Sequence, residues 1–481
     1  MIAGPSSPSA GRTVVRDASV GVGVMLGARG LILAFQLIVL AVLARRLGPS
    51  AFGTVQLAVA VFTYVGFATD LGLATVATRN AASGAIETLE GDLTGVRLVL
   101  GAAALAVVFL VLAVAPIPPD ERALVIVLAI GTASGVVNFR WLAQGRERFR
   151  RLATIDVVAA ALQLGAAVLL VRDPGDLAAA GLVFILPALV STILLLFQPD
   201  VRTLIRPRVR HSGRRLLLVA IPLGASAIAI QLYNNADSIL LGVFRSVDEV
   251  GWYGAAYRVV YASLAVPLAA YAVILPMLAR LLAQDAAEVA RLLTLSSRAL
   301  LAFALPCAFG LTLTAGVVTT TLFGPAFAPA ATPLAILAWV CVTVSSNAPF
   351  GALMLARGRD RAYLKVTGTG SALNVLANLL VIPHFGMTGA AVVTVTQEVL
   401  VLAGLCWYTR DLSIPILRRS IGRPLVAALV MSAVVFPIRD SIVAIPIGVA
   451  TFGVAGLVTG AIPWPGPGIR ALRSRGSSRD R

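Results

Sequence analysis

The chain has 481 residues, of which 58% are hydrophobic and only 13% charged, a balance that excludes an ordinary soluble domain and reads as a polytopic membrane protein. Its formal net charge of +17 would point a soluble chain towards nucleic acid; in a membrane protein the positive charge is first an orientation signal, and no nucleic-acid partner follows from it. Cys307, Cys341 and Cys406 lie in apolar runs without CxxC spacing and read as small buried hydrophobes rather than a disulfide framework or metal site, while the lack of a Walker loop, GxSxG or HExxH excludes ATP hydrolysis and the familiar hydrolase chemistries.

In chain order, residues 1–19 are polar and read as a cytoplasmic N-terminal tail without a cleavage pattern. Fourteen apolar spans follow, at 20–44, 53–78, 95–117, 121–143, 152–172, 177–198, 216–243, 251–280, 298–322, 331–355, 362–383, 387–409, 420–438 and 441–463. Most are apolar all round, as membrane helices are. They predict an all-α polytopic membrane protein of about 14 transmembrane helices. The expected organisation is an N-terminal six-helix half at 20–198, a basic cytoplasmic linker at 199–215, a C-terminal six-helix half at 216–409, two additional helices at 410–463 and a basic cytoplasmic tail at 464–481. The stretch 281–297 reads equally as an interfacial amphipathic helix or as a plain linker.

Charge fixes the expected topology. Thirty of the 39 Lys and Arg residues fall on one set of alternate connections, six on the other, and three (Arg29, Arg140 and Arg258) inside spans. The asymmetry places both termini in the cytoplasm of a multi-pass plasma-membrane protein. The outer loops are too short to fold into a catalytic domain, so an enzymatic role is not expected. The sequence also repeats. Gly145-Arg146-Glu147-Arg148 opens the fifth span as Gly358-Arg359-Asp360-Arg361 opens the eleventh, and the turn LGPSAFG after the first span has a counterpart, RSVDEVG, after the seventh. Two halves of like direction imply a pseudo-twofold axis along the membrane normal, an alternating-access design.

Arg29 stands near the middle of the first span. A cation there costs roughly 2.5–3.5 kcal/mol even on the lenient insertion scale, so it is expected to face either an anionic substrate in a water-filled cavity or a buried acid that it pairs with to hold the fold. Asp70, a carboxylate within the second span, needs a partner or a proton, and Arg29 on the neighbouring span is a candidate. Arg140 closes the fourth span beside Trp141, where substrate binding and interfacial snorkelling are both open. Arg79, Arg97 and Lys365 are expected to ring the inner mouth, as a funnel for an anionic headgroup or simply as orientation charges. Polar groups gather on the seventh, eleventh and twelfth spans: Asp237, then Thr367, Ser371, Asn374 and Asn378, then Thr394 and Glu398. Several oxygens of this kind suit a small hard cation, or they hydrogen-bond between helices.

The runs ARRLGPSAFG (44–53), ATDLGLATVATR (68–79) and NADSILLGVFRSVDEVGWYGAAYRVV (235–260) resemble the signatures of Wzx-type polysaccharide flippases of the multidrug/oligosaccharidyl-lipid/polysaccharide exporter superfamily. That resemblance implies a transporter that moves an oligosaccharide linked to undecaprenyl pyrophosphate between leaflets, with membrane lipids and the lipid-linked oligosaccharide as partners and a polysaccharide polymerase or glycosyltransferases as further candidates. Arginine suits such a pyrophosphate through its planar fork of donors. By similarity to lipid II flippases of the superfamily, Arg258 would occupy the place of a functional arginine in the eighth span, with snorkelling to the outer surface as the alternative. Asp237, Asn374, Asn378 and Thr394 would match a sodium site; Asn378 stands where those proteins carry a second carboxylate. No cofactor is implied beyond sodium or proton coupling. A cation-coupled multidrug exporter of the same superfamily and a lipid II flippase remain the alternative readings.

Overall fold

The structure is a computed structural model. It describes residues 8–82, 90–146, 148–198, 216–218, 220–221, 224, 236–282 and 284–461, with side chains from residue 30 onward apart from those of 79 and 82–92. Among the described residues every regular element is a helix. In order these are α1 (Pro8–Asp70), α2 (Leu73–Ala82), α3 (Glu90–Val114), α4 (Pro119–Val136), α5 (Arg140–Gly145), α6 (Phe149–Leu170), α7 (Leu177–Leu196), α8 (Val247–Ser263), α9 (Ala265–Leu281), α10 (Ala286–Phe323), α11 (Ala331–Leu337), α12 (Val340–Ala356), α13 (Asp360–Tyr408), α14 (Arg410–Val435) and α15 (Ala444–Val458). A 3₁₀ turn, Pro325–Ala330, precedes α11.

Ten of the described helical stretches are long and apolar enough to cross a membrane. A chain without solvent to satisfy its amides must do so within each segment, and helices achieve this. Two of the ten, Gly30–Asp70 and Asp360–Tyr408, run to 41 and 49 residues, twice what a bilayer needs. Each is broken at a glycine with positive φ: Gly48 at +72° and Gly386 at +55°. These are the turns expected after the first span and between the eleventh and twelfth. The last helix, Ala444–Val458, has 15 residues, shorter than the fourteenth span read from sequence.

Three further departures have physical causes. The second span is not continuous to residue 78: Leu71 (φ +42°) and Gly72 (φ +81°) adopt left-handed backbone and separate α2 from α1. The fourth span is likewise divided, α4 ending at Val136 and α5 starting at Arg140. Hydropathy registers neither break, because both sit in apolar surroundings. Finally, 286–297 is neither linker nor separate interfacial helix. It is continuous with the ninth span, making α10 a 38-residue rod whose start is capped by Asp285, accepting from the Ala287 amide at 2.7 Å.

Contacts divide the chain into two units, residues 1–239 and 240–481; the division falls inside the expected seventh span, most of which lies outside the described residues. In the first unit α4 packs on α7, and α6 on α1 and α7. In the second, α10 packs on α14 and α12, α12 on α9 and α13, and α14 on α15. Each unit ties its first turn to a later one. Arg46, just before Gly48, donates to the Val168 and Val171 carbonyls at the end of α6. In the second unit Glu249, at the start of α8, accepts from the Met387 amide at 2.9 Å and from Arg245 Nε at 2.9 Å. The connection after α6 is closed by Asp176, whose carboxylate accepts the Arg172 and Asp173 amides at 2.7 and 3.0 Å; these bonds hold it below the usual aspartate range.

A Cβ at Gly386 would run into the Glu249 carboxylate, on a backbone that L side chains rarely adopt. Gly386→Ala should therefore lower the thermal unfolding midpoint of the detergent-purified protein, by about 1–3 kcal/mol in stability. Gly453→Ala, a helical position with open space around it, should be neutral or stabilising by about 0.5–1 kcal/mol.

Candidate functional site

In the first unit the polar chemistry collects at the two helix breaks. Arg97 on α3 is buried, 8% exposed. Its Nη2 lies 3.3 Å from Asp70 Oδ1 and donates to the Gly135 carbonyl at 3.0 Å, while Nη1 donates to the Asn138 carbonyl at 3.2 Å. One guanidinium thus spans the end of α1 and the end of α4. Asp70 also accepts the Ala74 amide through both oxygens at 3.3 Å, placing an anion at the N-terminus of α2, where the helix dipole favours it. Just before α5, Asn138 Oδ1 accepts from the Arg140 amide at 2.8 Å. Among the described residues the partner of Asp70 is Arg97; the pairing with Arg29 suggested by span adjacency falls on a side chain outside the described residues, and Arg97 is a buried structural cation rather than a member of an open mouth.

Arg140 forks onto Asp156 of α6, Nη1 to Oδ1 and Nη2 to Oδ2 at 3.0 Å, with Ser191 Oγ of α7 at 3.2 Å. Both partners keep about a third of their side-chain exposure, so the pair reaches towards solvent or headgroups while orienting the guanidinium. The short helices α2 and α5 pack together, and a Cβ at Gly145 would collide with the Thr78 carbonyl and Ala81. Asp237 is buried, 6% exposed; it accepts the Ser238 amide at 2.9 Å and interacts electrostatically with Tyr64 of α1. The side chains of Arg29 and Arg79 lie outside the described residues.

In the second unit Arg258 sits on α8, half-buried, beside Tyr257 and Tyr261. Tyr253, Tyr257 and Tyr261 stack in sequence at 6.2 Å between ring centroids, a helical i, i+4 ladder. Among the described residues Arg258 has no hydrogen bond or ion pair. On α13 Asn378 Nδ2 donates to Asn374 Oδ1 at 3.1 Å, and Thr394 donates to the Ala390 carbonyl at 3.0 Å. Both asparagines are buried, and Asn378 Oδ1 and Asn374 Nδ2 find no partner. Glu398 accepts from Asn347 Nδ2 of α12 at 2.9 Å. Lys365 is exposed. Asp237 thus belongs to the first unit, and Asn374, Asn378 and Thr394 to the second.

Sequence reasoning missed Asp156, although a single carboxylate inside the fifth span was a visible signal. It also missed Asn347, whose partner is 51 residues away.

The fold is a bundle of membrane-length helices shared with solved transporter structures. It is similar to the lipid II flippase MurJ in an inward closed conformation, with a TM-score of 0.73 at 10% identity over 90% of this chain and 98% of that one. It is also similar to an inward-facing multidrug resistance MATE transporter of the MOP superfamily, with a TM-score of 0.61 at 15% identity over 79% of this chain and 94% of that one. Residues 20–282 match the polysaccharide biosynthesis protein family, more than half of the chain, and the protein belongs to that family. A curated relative, the probable low-salt glycan biosynthesis flippase Agl15 of Haloferax volcanii, is 24% identical over 213 residues, 44% of this chain. The match covers 45% of that relative's length.

The Arg97–Asp70 pair gives a direct test. Arg97→Ala leaves a carboxylate and two carbonyls without their donor and should cost about 3–5 kcal/mol. Asp70→Asn should cost less, and the double variant Arg97→Ala/Asp70→Asn should fall short of additivity by about 0.5–3 kcal/mol in a thermal-unfolding cycle. Strict additivity would show that the two groups do not act together.

Proposed function

We propose that the protein flips a polyprenyl-pyrophosphate-linked oligosaccharide from the inner to the outer leaflet of the plasma membrane, for cell-surface polysaccharide synthesis. In this reading two six-helix halves, related by a pseudo-twofold axis and followed by two additional helices, work by alternating access with both termini cytoplasmic. The observation that carries the reading is Arg258, a guanidinium in an apolar helix without an acceptor among the described residues. Such a cation is retained in a membrane when an anion visits it. Membership of the polysaccharide biosynthesis family and the likeness to a glycan flippase support a lipid-linked glycan as the substrate class. The shared link from each unit's first turn to a later one supports the repeat.

Arg258 and Arg29 would hold the pyrophosphate. Arg140, fixed by Asp156, is positioned to meet a headgroup nearer the membrane surface, with Arg79 and Lys365 as outlying charges. Asp70 would act through Arg97, holding the break at Leu71 and Gly72. For a coupling cation the second unit offers oxygens: Asn378 Oδ1 is buried without a donor, and Thr394 keeps lone pairs after donating. Asn374, Asn378 and Thr394 would hold sodium through oxygen within the second unit, Asp237 of the first unit would respond to the same ion gradient through its carboxylate, and that gradient would drive transport. A proton at Asp237 is the alternative.

The test is flipping of a fluorescent polyprenyl-pyrophosphate oligosaccharide in reconstituted vesicles. Wild type should translocate it. Arg258→Ala and Arg29→Ala should each reduce the rate about 10- to 100-fold, the loss of a charge-assisted contact worth about 1.5–3 kcal/mol, and Arg258→Lys should retain part of it. Any sodium dependence should disappear in Asp237→Asn. Movement of cationic dyes with no movement of the lipid-linked sugar would replace this reading with the multidrug exporter, whose fold is also similar.

A further inference from the structure

The second unit carries a cationic cluster that the transport reading does not use. It lies along the seam of α10 and α14. These helices run parallel: Ser420 donates to the Thr294 carbonyl at 3.5 Å, and sixteen residues along α10 a Cβ at Gly310 would come within 3.9 Å of Met431. Leu301 and Leu305 of α10 pack with Ala427, Ala428 and Met431 of α14.

Helical periodicity then places the charges. On α10, Arg298 follows Thr294 by four residues and Arg291 precedes it by three, so both share the side of the rod next to α14. On α14, Arg423 and Arg419, three after and one before Ser420, lie on the flank that in a parallel pair faces the same side of the seam. The guanidinium of Arg423 also borders the end of α15, 3.3 Å from where a Cβ on Gly460 would sit. Arg298 is half-buried, and its Nε is fully buried without an acceptor. Arg419 and Arg423 are exposed, and among the described residues neither has a hydrogen bond or an ion pair. The sole acids on the two helices do not neutralise the cluster, since Glu288 pairs with Arg291 at 3.3 Å and Asp411 with Arg357 at 2.7 Å.

A buried guanidinium nitrogen without an acceptor calls for an anion. Depth identifies its kind. Arg298 stands 25 residues before Phe323, the end of α10, about 37 Å at 1.5 Å per residue, whereas the hydrocarbon core takes up about 30 Å. The cluster is thus at headgroup level. Leu295, on the same flank as Arg298, is an exposed large hydrophobic, 50%, suited to an acyl chain. We propose that Arg298, Arg419 and Arg423 bind the phosphodiester of a resident anionic phospholipid in the α10–α14 seam. Basic pockets between membrane helices recognise such headgroups through charge and hydrogen bonding, and arginine forks onto phosphate oxygens.

The experiment measures lipid retention, a readout independent of transport. Detergent-purified protein is titrated with phosphatidylglycerol or phosphatidylcholine, following bound lipid by native mass spectrometry and the thermal midpoint in parallel. Wild type should retain phosphatidylglycerol and gain stability from it, and should gain neither from phosphatidylcholine. Arg298→Gln, and separately the exposed pair Arg419→Gln/Arg423→Gln, should weaken phosphatidylglycerol retention roughly tenfold. Arg298→Lys should restore part of it, and Arg150→Gln/Arg361→Gln, with two exposed arginines removed elsewhere, should leave it intact. The exposed pair tests the site even if Arg298→Gln fails to fold. Unchanged retention in the Arg419→Gln/Arg423→Gln protein overturns the proposal. So does displacement of phosphatidylglycerol from the seam by a polyprenyl pyrophosphate at equal concentration, which would assign the cluster to the transported substrate.

Discussion

The first unit depends on one buried guanidinium. Arg97 reaches the carboxylate that ends α1 and the carbonyls that end α4. Both positions are places where a membrane helix stops inside an apolar environment, leaving backbone groups that lipid cannot satisfy. A single side chain with five donors answers both needs, and Asp70 supplies the anion that makes its burial tolerable. The arrangement also explains why α2 and α5 form a pair of short helices bound to each other. Each is detached from its span by a break, and Gly145 lets their backbones touch.

The second unit solves its polar problem differently. Its intramembrane groups are held in side-chain pairs, Asn374 with Asn378 within α13 and Asn347 with Glu398 between α12 and α13, and several retain an unfilled donor or acceptor. Arg258 lies among tyrosines rather than carboxylates. Among the described residues both units leave buried polar atoms without a partner, on Gln56, Arg97 and Gln163 in the first and on Ser297, Arg298, Ser345, Asn347, Asn374 and Asn378 in the second. What the units share is the tie from the first turn to a later one, made by Arg46 in one and Glu249 in the other.

Much of this was legible in the sequence, and the limits are instructive. Long apolar runs gave the helical membrane character, since hydropathy and length are sufficient for it. Gly48 was legible as a turn because glycine and proline stand together there. The break at Leu71 and Gly72 was not, because a leucine with positive φ has no sequence signature, and Asp70 looked like a residue inside a span rather than a helix cap. Arg97 was visible as a cation near a span end, but its partners come from α1 and α4, 27 and 38 residues away or more, and long-range pairing cannot be read from spacing. Arg140 illustrates the same point: the aromatic neighbour Trp141 was adjacent in sequence, while the carboxylate that orients it, Asp156, is one helix further on. The continuity of α10 through 286–297 was neither of the two open readings, an interfacial helix or a linker; it rests on the Asp285 cap and the packing of Val289 and Leu293, which spacing alone does not show.

That continuity has a practical consequence. Together α8 and α9 make a stretch of 35 residues, and α10 one of 38, both well over the roughly 20 that a bilayer requires. Val289 and Leu293 of α10 are packed with Leu278 of α9 near the joining turn, so the excess length is a braced helical hairpin, not a loose loop. Membrane proteins of about this size offer few features outside the detergent belt for aligning particle images. A hairpin whose two arms continue directly into the transmembrane bundle is a natural stem for a grafted fiducial, since a domain spliced into its tip would inherit the orientation of the second unit and report its movements as a lever does.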